Sequence, residues 1–240
     1  MSSILIIGGN SDIGYATSKV FAQNGYNIHL ASRDMANLDI KKKELKLLYE
    51  VDCKISSLDI ENSENIDRFL DDNPKSPNII LLAAGLLESA NTNNDQVLNV
   101  NYSSQVNLVQ KLLKKYNGQN DLNTIIGISS VAGDRKGKNI NIYSSSKSSY
   151  NLYLKELRQN LYKSEVHVIT VKPGWVKTKM TKNLNLPKIM TANADYVGSK
   201  IFKAYKNKTN ILYVPKYWAL IMFIHGMIPE KFFQLIKKFK

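Results

Sequence analysis

Three residues in the middle of the sequence have side chains suited to moving a proton to or from a substrate oxygen. Tyr143 and Lys147 are four positions apart, so on a helix they share one face. Ser130 comes earlier, at the end of a strand-like run, and its hydroxyl can hydrogen-bond developing charge. A free tyrosine has a pKa of about 10, and a nearby cation favours the phenolate. Lys147 would therefore adapt Tyr143 to acid–base work near neutrality.

A glycine-rich stretch, IIGGNSDIGYA over residues 6–16, lies between the first predicted strand and the first predicted helix. Gly8, Gly9 and Gly14 allow a tight turn in which backbone N–H groups approach a pyrophosphate, whose charge a helix N-terminus favours. Asp12 places a negative charge in this loop. As a helix cap its carboxylate would accept backbone N–H bonds, whereas pointing at the phosphates it would weaken binding. The sequence leaves both orientations open.

The elements that must position these residues alternate between strands and helices. Such alternation is typical of a parallel sheet with right-handed crossovers and helices on both faces. The predicted strands read ILIIGG, NIHLAS, KISSLDI, NIILLAAG, NTIIGISS and VHVITVKPG. We expect an α/β fold with a single doubly wound, Rossmann-like domain over residues 1–214 and a C-terminal amphipathic tail over residues 215–240. Each motif follows a strand, where such folds bind ligands.

The composition argues against several other classes of function. The formal charge is +13, but the lysines are scattered rather than gathered in one block, so we expect no nucleic-acid partner. Cys53 is the only cysteine, which fits a reducing compartment, and the three histidines lack a metal-ligand spacing. The first strand starts at Ile4, which leaves no room for a signal peptide, and no apolar run reaches the roughly 18 residues of a spanning helix. We predict a cytoplasmic protein without a metal site.

The order and spacing of these residues resemble the short-chain dehydrogenase/reductase family. Its Ser…Tyr-x-x-x-Lys pattern matches Ser130, Tyr143 and Lys147, and its fourth member matches Asn101 in LNVNYSS. The glycine loop resembles the family's GxxxGxG, with Asp12 at the middle glycine. The resemblance implies an NAD(P)H-dependent oxidoreductase that reduces a ketone to a secondary alcohol, with the loop binding the cofactor despite Asp12.

The resemblance also implies a role for each member of the set. Tyr143 would be the acid in reduction and the base in oxidation, and Ser130 would hydrogen-bond the substrate carbonyl. Lys147 would hold the nicotinamide ribose as well as favouring the phenolate. Asn101 would hold a water that relays protons to Lys147.

Cofactor contacts follow from the same resemblance. After the second strand, Ser32 and Arg33 stand where NAD-preferring enzymes often carry an acidic residue, and a hydroxyl with a guanidinium suits a 2′-phosphate. NADP(H) is therefore favoured over NAD(H), with Arg33 as a solvated loop charge as the alternative. Asp59 resembles the family's adenine-side Asp. The segment LAAG resembles the family's NNAG segment, although both asparagines are replaced, and PGWVKT resembles its PGxxxT segment. The predicted cofactor-binding residues are Gly8, Asn10, Ser11, Asp12, Ile13, Gly14, Ser32, Arg33, Asp59, Ala84, Gly85, Tyr143, Lys147, Pro173, Gly174, Val176 and Thr178.

Two segments near the C-terminus bear on the substrate. Residues 179–190 correspond to the family's variable lid, whose lysines at 179, 182 and 188 would bind an anionic substrate or simply face solvent. Residues 217–228 are apolar but too short to span a bilayer. The chain beyond Pro229 has the spacing of a basic amphipathic helix in a membrane interface, and packing on the core or on a dimer partner is the alternative. Its apolar residues are Phe232, Phe233, Leu235, Ile236 and Phe239, and its lysines are Lys231, Lys237, Lys238 and Lys240.

A narrower resemblance concerns the substrate. The loop GGNSDIG, the segment YVPKYW and the basic ending that starts at IPEKFF are similar to the reductase component of the decaprenyl-phosphoryl ribose 2-epimerase system. That similarity implies a 2-keto sugar on a polyprenyl phosphate, a peripheral place at the inner face of the membrane through residues 217–240, and a partner oxidase. The wider family implies a homo-oligomer. A soluble carbonyl or acyl-carrier substrate, and a non-catalytic nucleotide-binding adaptor, are the alternatives.

Overall fold

The structure is a computed structural model that describes residues 2–88, 92–135, 141–229 and 231–232. Within them, a seven-stranded sheet has the order β3-β2-β1-β4-β5-β6-β9, and every neighbouring pair is parallel. A short parallel pair, β7 and β8, encloses the lid segment between its two strands in the sequence. The strands are β1 (Ser3–Ile7), β2 (Asn27–Ser32), β3 (Cys53–Ser57), β4 (Ile79–Leu82), β5 (Thr124–Ile128), β6 (His167–Pro173), β7 (Val176–Lys177), β8 (Ala192–Asn193) and β9 (Ile211–Val214).

Eight α-helices are present in the described ranges. They are α1 (Asp12–Gln23), α2 (Met35–Tyr49), α3 (Ser63–Asp71), α4 (Asn94–Leu98), α5 (Ser104–Lys115), α6 (Ile142–Asn160), α7 (Ala194–Lys206) and α8 (Tyr217–Met227). A π-helical turn, Asn99–Ser103, joins α4 to α5. Strands and helices alternate as the sequence predicts.

The sheet is covered on both faces because its strands are apolar on both sides. In β1, Ile4 and Ile6 pack on one face and Leu5 and Ile7 on the other, as the alternation along a strand requires. The first face packs against α1, α2 and α7, and the second against α3, α5 and α6. Burial on both sides is usual for parallel sheets. The predicted doubly wound α/β fold is confirmed.

The strand order changes direction beside β1. From β1 the chain builds outwards through β2 and β3, and then returns to place β4 on the other side of β1. The loops that follow β1 and β4 therefore diverge and leave a crevice at the carboxyl edge of the sheet, which is where open α/β folds bind ligands.

The helix that follows the sheet packs on it through one face. β9 ends at Val214 and α8 begins at Tyr217. Trp218 and Met222 are buried and form a small apolar cluster with Val131. No helix of the described residues is long and apolar enough to cross a membrane. The predicted tail residues Phe233, Leu235, Ile236, Lys237, Lys238, Phe239 and Lys240 lie outside the described residues, and the division at residue 214 stays a prediction.

Candidate active site

The three residues predicted for proton transfer meet at the carboxyl end of β5. Ser130 follows that strand, and Tyr143 and Lys147 lie near the start of α6. Lys147 is 3% exposed and Ser130 8%. The Lys147 ammonium donates a hydrogen bond to the carbonyl of Ile128 at 3.1 Å, and its Nζ lies 5.9 Å from the centre of the Tyr143 ring. The helix therefore presents the phenol and the ammonium on one face, as their spacing predicts.

The loop after β5 is fixed tightly against α6. Gly133 is required there, since a Cβ at this position would lie 2.6 Å from the carbonyl carbon of Lys147. At the end of the loop, Asp134 accepts a 2.6 Å hydrogen bond from Lys172 and a 2.7 Å hydrogen bond from the hydroxyl of Tyr213. Lys172 is itself buried, so this ion pair is largely shielded from solvent. The loop that carries the serine is thus anchored at both ends.

Burial changes the acidity of both titratable members of the set. It raises the pKa of Tyr143, and a hydrogen bond with Ser130 opposes that rise. It lowers the pKa of Lys147 to about 8, so the ammonium remains the main form at neutral pH. The pKa of Tyr143 is therefore raised, not brought towards neutrality by Lys147 as the sequence predicted. This arrangement suits a tyrosine that keeps its proton until a substrate takes it, beside a cation that stabilises the phenolate left behind.

Asn101 is fully buried in the π-helical turn. Its Nδ2 donates to the carbonyl of Leu86 at 2.8 Å and to the hydroxyl of Ser146 at 3.2 Å. Its Oδ1 accepts the N–H of Leu86 at 2.8 Å. The side chain therefore holds the segment that follows β4 against α6. The water relay stays a prediction.

The glycine loop has the close backbone approach that its sequence predicts. Gly8 has a φ of +83°, and a Cβ there would lie 2.6 Å from the backbone nitrogen of Ala84. Gly14 is packed as tightly, because a Cβ there would lie 2.6 Å from a neighbouring hydroxyl. The N–H groups of Asp12 and Ile13 stand in the first turn of α1, where a helix offers them no acceptor. Donors of this kind at a helix N-terminus fit a pyrophosphate.

Asp12 does not cap α1, although its carboxylate does accept a backbone N–H. The cap of α1 is Ser11, whose Oγ accepts the N–H of Gly14 at 3.0 Å. Oδ2 of Asp12 instead accepts the backbone N–H of Lys179 at 2.6 Å. The carboxylate therefore ties the glycine loop to the first residue of the lid. The sequence could not indicate this contact, because the donor is a backbone group 167 positions away.

A cleft of about 410 Å³ runs along the carboxyl edge of the sheet from the glycine loop to the lid. Asn10 contributes a buried Oδ1 that has no hydrogen-bond donor among the described residues, so a bound group can supply one. Two predicted site residues, Gly14 and Asn101, are not part of the lining. The predicted residues that line it are Gly8, Asn10, Ser11, Asp12, Ile13, Ser32, Arg33, Asp59, Ala84, Gly85, Ser130, Tyr143, Lys147, Pro173, Gly174, Val176 and Thr178.

The end of the cleft beside β2 contains a charge that the sequence analysis missed. The guanidinium of Arg33 lies 3.6 Å from the carboxylate of Glu61, and the Arg33 side chain is 67% exposed. The N–H of Glu61 donates to the carboxylate of Asp59 at 3.1 Å. The only signal for Glu61 was its position two residues after Asp59 in the loop that follows β3. Other lining residues that were missed are Ile7, Leu58, Ile60, Ala83, Val100, Ile128 and Ser129. Lys179, Met180 and Thr181 also line the cleft and belong to the predicted lid.

The lid end of the cleft is tied to α8. The hydroxyl of Tyr217 donates to the carbonyl of Met190 at 2.9 Å. The indole of Trp218 closes against Gly174, where any Cβ would collide with it. Most of the lid is nevertheless exposed, and Ile189 is 98% exposed. The helix thus packs directly behind a residue that lines the cleft.

A family model agrees with this site. The model described as "short chain dehydrogenase" matches residues 2–188. An uncharacterized oxidoreductase from Staphylococcus epidermidis is 24% identical over 220 residues, which cover 86% of this chain and 92% of that protein. A 3-oxoacyl-[acyl-carrier-protein] reductase from Bos taurus is 24% identical over 196 residues, covering 75% of this chain and 78% of that one.

Solved structures share the fold. A short-chain dehydrogenase from Sphingobium yanoikuyae in complex with NADPH superposes with a TM-score of 0.82 at 18% identity, covering 96% of this chain and 97% of that one. An alcohol dehydrogenase from Thermococcus sibiricus complexed with 5-hydroxy-NADP gives a TM-score of 0.74 at 17% identity, with coverage of 89% and 95%.

Proposed function

The chain belongs to the short chain dehydrogenase family and is an NAD(P)-dependent oxidoreductase, and we propose that it uses NADP(H) to reduce a ketone to a secondary alcohol. The observation that carries the proposal is that Ser130, Tyr143 and Lys147 line the same cleft as the glycine loop. The reverse oxidation would use the same groups.

The side chains of the cleft have separate tasks in this reaction. When bound, the nicotinamide supplies the hydride that reaches the carbonyl carbon. Ser130 hydrogen-bonds the carbonyl oxygen, where negative charge develops. Tyr143 gives its phenolic proton to that oxygen, and the Lys147 ammonium stabilises the phenolate that results. A proton from solvent then restores the phenol, so one hydride and one proton are consumed for each alcohol formed.

The preference for NADP(H) rests on Ser32 and Arg33 at the end of β2. Both line the cleft, and a guanidinium beside a hydroxyl suits a 2′-phosphate. Glu61 lies 3.6 Å from Arg33 and opposes this preference, because it offsets part of the positive charge. The NADPH and 5-hydroxy-NADP named for the two superposed enzymes support the phosphorylated cofactor.

For the substrate we propose a 2-keto sugar carried on a polyprenyl phosphate. The lid offers both kinds of contact that such a molecule needs. Its three lysines, Lys179, Lys182 and Lys188, are exposed and able to meet a phosphate. Its apolar residues Met180, Leu184 and Ile189 are exposed as well, although burying them would be favourable.

The exposed apolar face of α8 supports contact with a membrane surface. Leu220, Phe223, Ile224 and Met227 recur at helical spacing and are all exposed, on the side opposite the buried Trp218. We call these four residues the outer stripe. Contiguous exposed apolar residues mark interaction sites, and the lysines of the lid and tail suit anionic headgroups. The proposal is completed by a peripheral, cytoplasmic place for this enzyme, which is a homo-oligomer and has a partner oxidase.

The test compares two substrates that carry the same ketone and differ only in the prenyl chain. Purified protein is given NADPH, and separately NADH, with a polyprenyl-phosphoryl 2-keto-pentose or with the same keto sugar phosphate lacking the prenyl chain. We expect turnover with NADPH that is much faster for the lipid substrate and is lost in Tyr143→Phe. Equal turnover of both substrates would refute the lipid-linked class while leaving the ketoreductase intact.

Sedimentation with anionic vesicles tests the membrane contact separately. The full chain is expected to pellet with vesicles, and a variant with glutamine at all four outer-stripe positions is expected to stay in solution. Equal pelleting of the two proteins would contradict the contact.

A soluble substrate is the second candidate, favoured by the match to the bovine 3-oxoacyl-[acyl-carrier-protein] reductase. Reduction of a 3-oxoacyl thioester that is faster than reduction of the lipid-linked sugar would decide for it.

A further inference from the structure

A buried lysine lies behind the glycine loop, on the side away from the cleft lining. Lys41 of α2 is 8% exposed, and its Nζ donates a hydrogen bond to the carbonyl of Gly9 at 3.1 Å. The same Nζ lies 4.7 Å from the centre of the Tyr15 ring. Lysines are seldom buried without a partner of opposite charge. Among the described residues, however, no carboxylate lies within ion-pairing distance of this ammonium.

The charges that surround Lys41 come from the glycine loop, from the lid and from α2 with its N-terminal cap. Burial, with a smaller contribution from Lys179, lowers its pKa to about 8, although the carboxylates of Asp12, Glu44 and Asp34 act in the opposite direction. Of these carboxylates, Asp12 belongs to the glycine loop and lines the cleft. The loop therefore places a negative charge on its cleft side and contacts a buried positive charge through its backbone.

Asp12 creates a difficulty that this second charge can relieve. Its carboxylate stands in the first turn of α1, beside the N–H groups that suit a pyrophosphate. A fixed negative charge there weakens the attraction of the helix terminus for another anion. Asp12 cannot turn away freely, because its Oδ2 accepts the backbone N–H of Lys179.

We propose that Lys41 is a positioning residue for the cofactor, which holds the Gly9 carbonyl and offsets the charge of Asp12 so that the glycine loop can accept the pyrophosphate. With this compensation, Asp12 keeps its bond to the lid without repelling the cofactor. Asp12 stands where the family's loop has its middle glycine, and its carboxylate binds the lid. Lys41 of α2 balances the charge that Asp12 adds.

The test is a double-mutant cycle read by cofactor affinity rather than by turnover. Dissociation constants for NADPH and NADH are measured by quenching of tryptophan fluorescence in the wild type, Lys41→Met, Asp12→Asn and the double variant. Asparagine keeps an oxygen acceptor for the Lys179 N–H and removes only the charge. We expect Lys41→Met to weaken both cofactors about tenfold, and only about twofold in the Asp12→Asn background. Equal losses in the two backgrounds would overturn the proposal, since a purely structural lysine costs the same in both.

A pH series separates the charge of Lys41 from its packing. The pKa of about 8 predicts that wild-type affinity for NADPH falls as the pH rises above that value. Lys41→Arg stays charged, so it is expected to retain affinity to higher pH, while Lys147 titrates equally in both proteins. Identical pH profiles would contradict the proposal, even if Lys41→Met itself failed to fold. Thermal midpoints of all variants identify any loss that comes from unfolding.

Discussion

Two regions of the cleft, its catalytic wall and its lid, are built in different ways. At the catalytic wall, Lys147 is buried on a long helix, and the loop that carries Ser130 is anchored by the ion pair of Asp134 with the buried Lys172. At the lid, the chain between β7 and β8 consists of short turns, and Ile189 is almost entirely exposed. The chemistry is thus held by rigid, buried elements, whereas the substrate contacts lie on a surface that buries little area of its own.

This difference explains how one fold serves many substrates. Proton transfer requires the phenol and the ammonium to keep a fixed geometry, which packed elements provide. A lid with few buried contacts can change its residues at little cost in folding free energy. Substitutions in each region test whether the catalytic wall and the lid contribute independently to activity and stability.

The largest effect is expected at the catalytic wall. Lys147→Met removes the cation that stabilises the phenolate, and we expect kcat to fall by about 10²–10⁴-fold. Steady-state kinetics at saturating NADPH measure the loss. Lys114→Met, at an exposed position of α5, is the matched control and should leave kcat unchanged. A loss below tenfold would mean that the ammonium is not part of the proton-transfer set.

The next effect distinguishes the two faces of α8. Trp218→Ala empties a buried site against Gly174, and we expect a loss of about 3 kcal/mol in the free energy of unfolding. Phe223→Ala lies in the outer stripe, where the side chain is 66% exposed, and should cost no more than about 0.5 kcal/mol. Urea unfolding measures both. Similar losses for the two variants would show that the outer stripe is also packed.

The pH dependence of reduction gives a smaller, graded effect. Burial lowers the pKa of Lys147 to about 8, so the ammonium is lost as the pH rises through that value. We expect kcat for reduction to fall above this pH, by about tenfold for each further unit once the amine is mostly neutral. A pH–rate profile measured with a substrate that does not ionise tests this. A profile that stays flat well above this pH would contradict the role of the charge.

The smallest effect is expected at the end of the cleft beside β2. Arg33→Ala should weaken NADPH binding by about tenfold, equivalent to about 1.4 kcal/mol, and leave NADH unchanged. Fluorescence titration measures both constants. The converse variant, Glu61→Gln, should strengthen NADPH binding, because it frees the guanidinium. Equal changes for the two cofactors would show that Arg33 does not bind the 2′-phosphate.

The sequence predicted what depends on local pattern. The buried strand β1, the glycine turn at Gly8 and the shared face of Tyr143 and Lys147 follow from spacing along a few residues. The composition of α2 gave no sign that Lys41 is buried, since it is the first of three consecutive lysines and the other two are not buried.

Contacts between distant segments could not be predicted. The bond from the Lys179 N–H to Asp12 joins residues far apart in the sequence and uses a backbone donor. Trp218 lies in a segment for which both membrane contact and packing on the core were expected alternatives, and its indole packs against Gly174. Residue types alone carry no information about such pairings.

Transfer of deuterium tests the central claim most directly. NADPH deuterated at the transferring position of the nicotinamide is incubated with a ketone substrate and either the wild type or Tyr143→Phe. We predict one deuterium on the carbinol carbon of the product with the wild type, and no product above background with Tyr143→Phe, although that variant still binds NADPH. Product formation by the variant at the wild-type rate would contradict the account, because the phenol would then not be the proton donor.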